Sequence, residues 1–230
     1  MLSELIAILC RLTILLNKTV ITNSMEEKEI QSTQECILSS ATEIFMQKGF
    51  DATKTTEIAK RAGVTHAMLH YYYRTKENLF TIIFESKLKE LAESFIYGMG
   101  QQITFEEKIA HAIRTHIDFL SKNPQLPLFI MSELLSNPKS TERARKILGG
   151  VMSGVLNKFT SEVNYEIREG RIAPINPFDL LMTIVSLNVS IFILSPVIMT
   201  FNYPEFTTLS EIIEHRKKEN VTIVMKYISK

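Results

Sequence analysis

Cysteine, glycine and proline are all scarce in this sequence of 230 residues. Its two cysteines, Cys10 and Cys36, form neither a metal-binding spacing nor a disulfide framework, so we expect free thiols in a reducing compartment and a cytoplasmic protein. With only 8 glycines and 7 prolines the chain has few turn formers, which favours long secondary-structure elements. An excess of charge of either sign is lacking too. The net charge of +1 by itself indicates neither a nucleic-acid partner nor a membrane partner.

Motifs of catalysis and of metal binding are missing as well. The sequence contains no nucleophile elbow, no glycine-rich phosphate loop, no paired metal ligands and no His-Glu-x-x-His motif. We therefore expect no enzyme activity, no catalytic residue, no metal and no cofactor. A helical enzyme remains as an alternative that is supported only by isolated serine, histidine and glutamate side chains.

The first of two long apolar runs lies near the start of the chain. Residues 5–16 have the length of a signal-peptide core, but no basic cluster precedes them, no cleavage site follows and Arg11 interrupts them. Met25 then opens the stretch MEEKEIQSTQE, which is typical of the beginning of a protein. We interpret residues 1–24 as an N-terminal extension that the native protein need not contain.

The second apolar run, residues 180–201, carries no charge over 22 positions. That length reaches the roughly 18–20 residues of a membrane-spanning helix. Asn188, Pro196 and the absence of basic flanks favour instead a helix that is buried in the core or in a subunit interface. The alternative is a membrane-associated helical protein anchored through residues 5–16 and 180–201.

Helical periodicity dominates the whole chain. Apolar residues recur at a spacing near 3.6 and no run alternates like a strand, so the sequence predicts an all-α fold of nine or ten helices. Thr104 with Glu107, and Thr208 with Glu211, have the spacing of capping boxes that begin helices. The first helix is predicted from an apolar stripe of Ile30, Ile37, Ala41, Ile44 and Phe45.

Two short helices, near residues 56–62 and 66–73, are joined by a short turn, as in a helix-turn-helix. Gly63 in the turn can take the positive φ that such a turn requires. Thr55 and Thr65 are placed to cap the two helices. The buried stripe is predicted to contain Ile58, Leu69 and Tyr73, and the outward face His66, Ala67, His70, Tyr71 and Arg74.

Local charge agrees with a surface that contacts phosphates. Between Lys48 and Lys76 there are six basic residues and two acidic ones, a balance of +4. Basic side chains of this kind supply most of the non-specific affinity for DNA. Over residues 25–84 the balance is −1, so charge supports a DNA interface without establishing it, and a solvated helical face is the alternative.

The segment GFDATKTTEIAKRAGVTHAMLHYYYRTKENLF, residues 49–80, resembles the N-terminal DNA-binding region of the TetR family of transcriptional regulators. The sequence departs from the family pattern at Ala67, His70 and Tyr73, where the family usually has Gly, Tyr and Phe. The matching positions are Gly49, Phe50, Thr55, Ile58, Ala59, Ala62, Gly63, Val64, Thr65, Leu69, Lys76 and Leu79.

The resemblance implies an architecture and a function. Residues 25–75 would form a three-helix helix-turn-helix DNA-binding domain, and residues 76–230 a helical ligand-binding and dimerisation domain. The protein would be a ligand-responsive regulator, most often a repressor, that binds a palindromic operator in double-stranded DNA as a homodimer, without a membrane. Its recognition helices would then sit about 34 Å apart. The small-molecule effector stays unknown.

The resemblance also implies site residues. The residues expected to contact DNA are Thr55, Thr56, Thr65, His66, Ala67, His70, Tyr71, Tyr72 and Lys76. Among them we expect His66 to discriminate between bases. For the effector, the candidates are His116, Met99 and Met131, although a hydrogen-bonded core histidine explains His116 better, and methionines often only fill gaps.

Overall fold

The computed structural model describes residues 31–96, 104–201 and 204–230. Helix is the only regular secondary structure in these ranges, which confirms the all-α prediction. Residues 1–24, the apolar run at 5–16 and Met99 lie outside the described residues, so the statements about them stay predictions. The described part contains nine helices: α1 (31–52), α2 (Thr55–Arg61), α3 (His66–Tyr73), α4 (Lys76–Ile96), α5 (Phe105–Lys122), α6 (Leu126–Ser136), α7 (Pro138–Arg168), α8 (Pro177–Ile198) and α9 (Leu209–Ile228).

The chain divides into two compact units between Ile83 and Phe84, inside α4. Unit 1 contains α1 to α3 with the first part of α4, and unit 2 contains the remainder of α4 with α5 to α9. The boundary expected from the sequence, between residues 75 and 76, falls at the start of α4. The assignment of DNA binding to residues 25–75 and of ligand binding and dimerisation to residues 76–230 stays a prediction.

Aromatic rings join the helices of unit 1. Phe80 of α4 meets Phe45 of α1 edge to face, with ring centroids 5.0 Å apart, and it contacts Phe50 at the same 5.0 Å separation. The hydroxyl of Tyr73 donates to the carbonyl oxygen of Gln34 at 3.1 Å and so ties α3 to α1. The described members of the predicted α1 stripe are all buried, which confirms them: Ile37, Ala41, Ile44 and Phe45.

The core of unit 2 lies between α5, α8 and α9. Both predicted capping boxes are present, with Thr104 and Glu107 beginning α5 and Thr208 and Glu211 beginning α9. These caps satisfy backbone N–H groups that a helix start otherwise leaves without partners. The buried side chains of the core include Ile109, Ile113, Ile117 and Leu120 from α5, Leu180, Ile184, Ile191 and Phe192 from α8, and Ile212, Ile213, Val224 and Ile228 from α9.

A chain of four polar side chains, which we call the polar ladder, crosses this apolar core. Arg216 donates to Oδ1 of Asn220 at 2.7 Å, and Nδ2 of Asn220 donates to Oδ1 of Asn188 at 3.0 Å. Nδ2 of Asn188 lies 3.1 Å from Nδ1 of His116 and donates to the carbonyl oxygen of Ile113 at 3.2 Å. The ladder thereby links α9, α8 and α5 through side chains that would be costly to bury without partners.

Helix α8 covers the uncharged run that raised the question of a membrane span. By length and composition it could cross a membrane, and 22% of its most apolar window is buried within the chain. One side, with Leu180, Ile184 and Asn188 among its members, lies in the core of unit 2. The expected burial is therefore met on one side only, because apolar residues on the other side stay exposed: Phe178, Met182, Leu194 and Val197.

Candidate nucleic-acid interface and effector cavity

The turn between α2 and α3 has the backbone that the sequence predicts. Gly63 adopts φ +69°, a conformation that residues with a Cβ rarely take. Thr65 caps α3, since its hydroxyl accepts the backbone N–H of Met68 at 3.2 Å. At α2 the prediction was wrong by one residue: Lys54 is the N-cap, without a side-chain capping bond, and Thr55 is the first helical residue.

Helix α3 has one buried side and one exposed side. Leu69 is fully buried and Tyr73 is nearly so, in the same core as Ile58 of α2. Burial also raises the pKa of the Tyr73 phenol. On the outward side the ring of Tyr71 is 70% exposed. The other predicted outward residues are exposed as well: His66, Ala67, His70 and Arg74.

Two histidines on the outward side of α3 hold each other in place. The ring centroids of His66 and His70 are 4.4 Å apart and the rings are nearly perpendicular. Nε2 of His66 lies 2.9 Å from the hydroxyl of Thr55, so His66 connects α3 to the start of α2. Nδ1 of His70 lies 2.7 Å from the carbonyl oxygen of Arg74, at the other end of α3.

The remaining predicted DNA contacts differ in how accessible they are. Thr56 and Thr65 are exposed, whereas Thr55 and Tyr72 are half-buried. The rings of Tyr71 and Tyr72 meet edge to face at 5.2 Å. The ammonium group of Lys76 lies 4.3 Å from the centroid of the Phe50 ring.

Not all the basic residues of this region carry unpaired charge. Lys48 forms an ion pair with Glu57 at 2.6 Å, and Arg61 forms one with Glu43. Lys76 donates to the carbonyl oxygen of Asp51 at 3.4 Å. Glu57 is already part of the sequence count, whereas Glu43 lies outside the counted residues 48–76, so the Arg61 pair lowers the local excess of positive charge below that count.

Sequence reasoning missed the backbone at Arg74, where α3 ends. Arg74 has φ 61° and ψ −62°, and the N–H of Thr75 donates to the carbonyl oxygen of Tyr73 at 2.6 Å. This is a γ-turn with positive φ, a rare and strained form. The side-chain amide of Asn78 donates to the same Tyr73 carbonyl at 3.1 Å and so braces the turn.

Unit 2 contains a cavity of about 720 Å³ between α4, α6, α7 and α8. This volume is within the range of roughly 300–1,000 Å³ that is usual for small-molecule sites. Its walls are apolar apart from Arg145 and Ser153, and Arg145 pairs with Glu142 through two hydrogen bonds of 3.0 Å. The lining residues are Leu88, Leu91, Ala92, Pro127, Ile130, Met131, Leu134, Arg145, Leu148, Gly149, Met152, Ser153, Leu156, Leu181, Val185 and Val189.

The predicted effector residues fall in two different places. Met131 lines the cavity, whereas no pattern in the sequence indicates most of the other lining residues. His116 is fully buried in the polar ladder, where burial lowers its pKa to about 3. That environment is the one of a neutral, hydrogen-bonded core histidine.

Comparison with known proteins agrees with this geometry. Residues 37–82 match the model of the bacterial regulatory proteins of the tetR family, a range that runs from α1 into α4 and contains the whole helix-turn-helix. The chain belongs to the TetR family. It is a DNA-binding, helix-turn-helix transcriptional regulator, as the sequence predicts.

Relatives of this TetR-family protein are also similar beyond the helix-turn-helix. It is 27% identical to the fatty acid metabolism regulator protein of Bacillus subtilis over 138 residues, which is 58% of this chain and 70% of the relative. It is 25% identical to the transcriptional regulator RutR of Escherichia coli over 164 residues, 71% of this chain and 75% of RutR.

A solved structure extends the similarity of fold to most of the chain. The crystal structure of the regulator FadR from Bacillus subtilis, in complex with stearoyl-CoA, superposes with a TM-score of 0.59 at 21% identity. The match covers 82% of this chain and 98% of FadR. At this identity the likeness concerns the fold, which includes the helical part that follows the helix-turn-helix.

Proposed function

We propose that this TetR-family regulator is a homodimeric repressor that binds a palindromic operator and releases it when an effector with a long apolar chain enters the unit 2 cavity. The observation that carries the proposal is helix α3, which is anchored by Leu69 and Tyr73 and presents an exposed polar and aromatic side. A recognition helix of this kind enters the major groove of DNA. The residues proposed to contact the operator are Thr55, Thr56, Thr65, His66, Ala67, His70, Tyr71, Tyr72 and Lys76.

Within this set the proposed roles differ. Tyr71, the most exposed of the three tyrosines, would reach a phosphate oxygen or a base edge with its hydroxyl. Lys76 would leave the ring of Phe50 to contact a phosphate, since charge-assisted bonds to phosphate are stronger than its 3.4 Å bond to a carbonyl oxygen. Ala67 and Thr65 would lie against the groove floor and backbone.

The outer side of α8 supports a homodimer. Its exposed apolar side chains include Phe178, Met182, Leu194 and Val197, with exposed fractions between 43% and 64%. Large apolar patches of this kind usually mark an interface. Packing of α8 against the α8 of a second copy, next to α7, would bury them in a four-helix bundle. A dimer with two-fold symmetry in turn requires a palindromic operator.

The lining of the cavity supports an effector with a long apolar chain. Fourteen of its sixteen lining residues are apolar or glycine, and Arg145 is the charged member of the set. An amphipathic molecule would place its apolar chain among these side chains and its anionic head near Arg145. The head would then replace Glu142 as the hydrogen-bond partner of Arg145. The complex of the related FadR with stearoyl-CoA supports a fatty acyl chain as the class.

Helix α4 would transmit the effect of effector binding to the DNA-binding helices. It provides Leu88, Leu91 and Ala92 to the cavity, and its earlier residues Leu79 and Phe80 are buried in unit 1. An effector that binds better to one position of α4 would shift the population towards that position. Repression ends if the favoured position sets the two recognition helices at the wrong spacing.

The DNA-binding proposal is tested by selection from a pool of random duplexes at two salt concentrations, followed by sequencing. We expect an enriched palindrome, and weaker binding by Lys76→Ala and by Tyr71→Ala. Lys226→Ala, a change of a lysine in α9 of unit 2, is the matched control and should bind like the unchanged protein. Salt-sensitive binding without any enriched sequence would refute sequence-specific regulation.

The apolar helix α8 also favours a second candidate, a membrane-associated protein. Fractionation after cell lysis separates the two. A cytoplasmic dimer stays in solution without detergent because its partner covers α8, whereas a membrane-anchored chain sediments with the lipid and is extracted only by detergent.

A further inference from the structure

His70 occupies a position where the TetR family usually has a tyrosine, and its ring has two neighbours, the carbonyl oxygen of Arg74 and the ring of His66. Nδ1 lies 2.7 Å from the carbonyl oxygen of Arg74. A carbonyl oxygen can only accept a hydrogen bond, so Nδ1 carries the hydrogen in this contact. In the neutral ring Nε2 then has a lone pair and can only accept.

The Arg74 carbonyl is itself fixed by the strained end of α3. Arg74 stands in the γ-turn with φ 61°. The turn is closed by the bond from Thr75 N–H to the Tyr73 carbonyl at 2.6 Å and braced by Asn78. Strain of this type persists only where the surroundings hold it, and here it presents a carbonyl oxygen to His70.

The ring of His70 also packs against the ring of His66. Their ring centroids are 4.4 Å apart, and His66 is bonded in turn to Thr55 of α2. His70 is therefore ordered before any DNA binds, so little side-chain entropy is lost on binding. Among the described residues, Nδ1 is the ring nitrogen of His70 that makes a hydrogen bond, and Nε2, separated from it by Cε1, makes none.

We propose that His70 is a specificity-determining residue whose Nε2 accepts a hydrogen bond from the exocyclic amino group of an adenine or a cytosine in the major groove. Adenine offers N6 and cytosine N4 as donors, whereas guanine and thymine offer acceptors at the corresponding positions. The lone pair of Nε2 would face another lone pair at guanine O6 or thymine O4. His70 thus selects the strand that carries the amino base. Arg74 positions it through the backbone carbonyl, and His66, itself a proposed operator contact, also positions the His70 ring. This inference rests on the proposed operator binding.

The test is selection from random duplexes at pH 8, with the unchanged protein, His70→Ala and His70→Arg. The unchanged protein should enrich adenine or cytosine at one position in each half-site, by about fivefold to tenfold over guanine or thymine. His70→Ala should flatten that position alone. His70→Arg, which has donors only, should move the preference there to guanine. Lys76→Ala, the control, should lower affinity for all sequences and leave every preference in place.

The outcomes separate the inference from the function on which it rests. A palindrome whose preferences are the same in His70→Ala overturns the role of His70 and leaves the operator-binding proposal standing. No enrichment by the unchanged protein overturns both. Nitrogen-15 NMR of the histidine rings at pH 8 supplies a readout that does not depend on DNA: the hydrogen of His70 should be on Nδ1, and a hydrogen on Nε2 would overturn the inference.

Discussion

Nδ2 of Asn188 lies 3.1 Å from Nδ1 of His116, and neither side chain has any exposed surface. The two residues belong to α8 and α5, so this contact joins two helices of the unit 2 core. Because a buried imidazole charges at high cost, the contact makes the stability of the protein depend on pH.

The first prediction concerns that pH dependence. Burial holds the pKa of His116 at about 3 in the folded protein, below the 6.5 of an unfolded chain. Between about pH 3 and pH 6.5 the unfolded state therefore binds more protons than the folded state. The contribution of the neutral His116 to the free energy of unfolding is constant above pH 6.5 and is lost as the pH falls below that value. From pH 7.5 to pH 5 we expect a loss of about 2 kcal/mol in the free energy of unfolding, measured with urea.

The variant His116→Asn tests the assignment of that loss. Asparagine keeps an acceptor for Asn188 but cannot be charged, so the difference between pH 7.5 and pH 5 should shrink by about 2 kcal/mol. His111→Gln, at a half-buried position of the same helix, is the control and should keep the full difference. An equal pH dependence in His116→Asn would contradict the prediction.

The second prediction concerns Asn188, the central member of the polar ladder. Asn188→Ala removes the partner of both His116 and Asn220, and it leaves a cavity between α8 and its neighbours. We expect a loss of about 2–4 kcal/mol in the free energy of unfolding. The exposed Asn157 of α7 is the matched control, and Asn157→Ala should change stability by less than about 0.5 kcal/mol.

The third prediction concerns the strained turn at Arg74. Its φ of 61° with ψ of −62° costs about 1–3 kcal/mol for a residue with a Cβ. Arg74→Gly removes this cost but adds about 0.5–1 kcal/mol of chain entropy to the unfolded state. A net gain of about 1 kcal/mol is expected in thermal or urea unfolding. Arg74→Ala removes the same charge yet keeps the Cβ, so it should bring no gain; equal effects of the two changes would argue against strain.

The fourth prediction concerns the proposed dimer. Met182→Glu and Leu194→Glu place a charge on the apolar outer side of α8, where burial against a second copy would be costly. Sedimentation equilibrium should show a dimer for the unchanged protein and a shift towards monomer for both variants. Leu135→Glu on α6, where leucine is 80% exposed, adds the same charge elsewhere and should remain dimeric. A monomer in the unchanged protein at micromolar concentration would refute the interface.

The fifth prediction concerns the effector cavity. Val185→Trp fills part of the roughly 720 Å³ with an indole ring. If stearoyl-CoA releases the unchanged protein from its selected operator, this variant should stay bound at concentrations at least tenfold higher. Arg145→Ala should weaken release without abolishing it, and Arg143→Ala nearby on α7 is its matched control. Normal release from Val185→Trp would place the effector elsewhere.

The helix-turn-helix could be predicted because its rules are local. Gly63 adopts its positive φ within a single turn. Thr65 caps the helix that begins at the next residue, by accepting an N–H only three residues further along. The first residue of α2 was missed because threonine is a preferred N-cap, whereas α2 begins after Lys54 without a side-chain capping bond. The γ-turn at Arg74 has no signal in residue type, since arginine rarely takes a positive φ.

Long-range features could be predicted only in part. The apolar stripe of α5 indicates that His116 is buried, but its partner Asn188 lies 72 residues further along the chain. The cavity is harder still, since four helices must pack before a space exists between them. Lys76 was expected to be available to phosphates, whereas its contact with Phe50 depends on how α4 meets the end of α1.

The polar ladder has a further consequence for how unit 2 can move. Its members alternate donor and acceptor in one direction, from Arg216 to His116. If α9 slid along α8 by one turn, the apolar Val224 or the charged Arg216 would stand opposite Asn188, and buried amide groups would lose their partners. Helices α5, α8 and α9 are thus held in a single register, so a displacement caused by the proposed effector would fall to α4, α6 and α7.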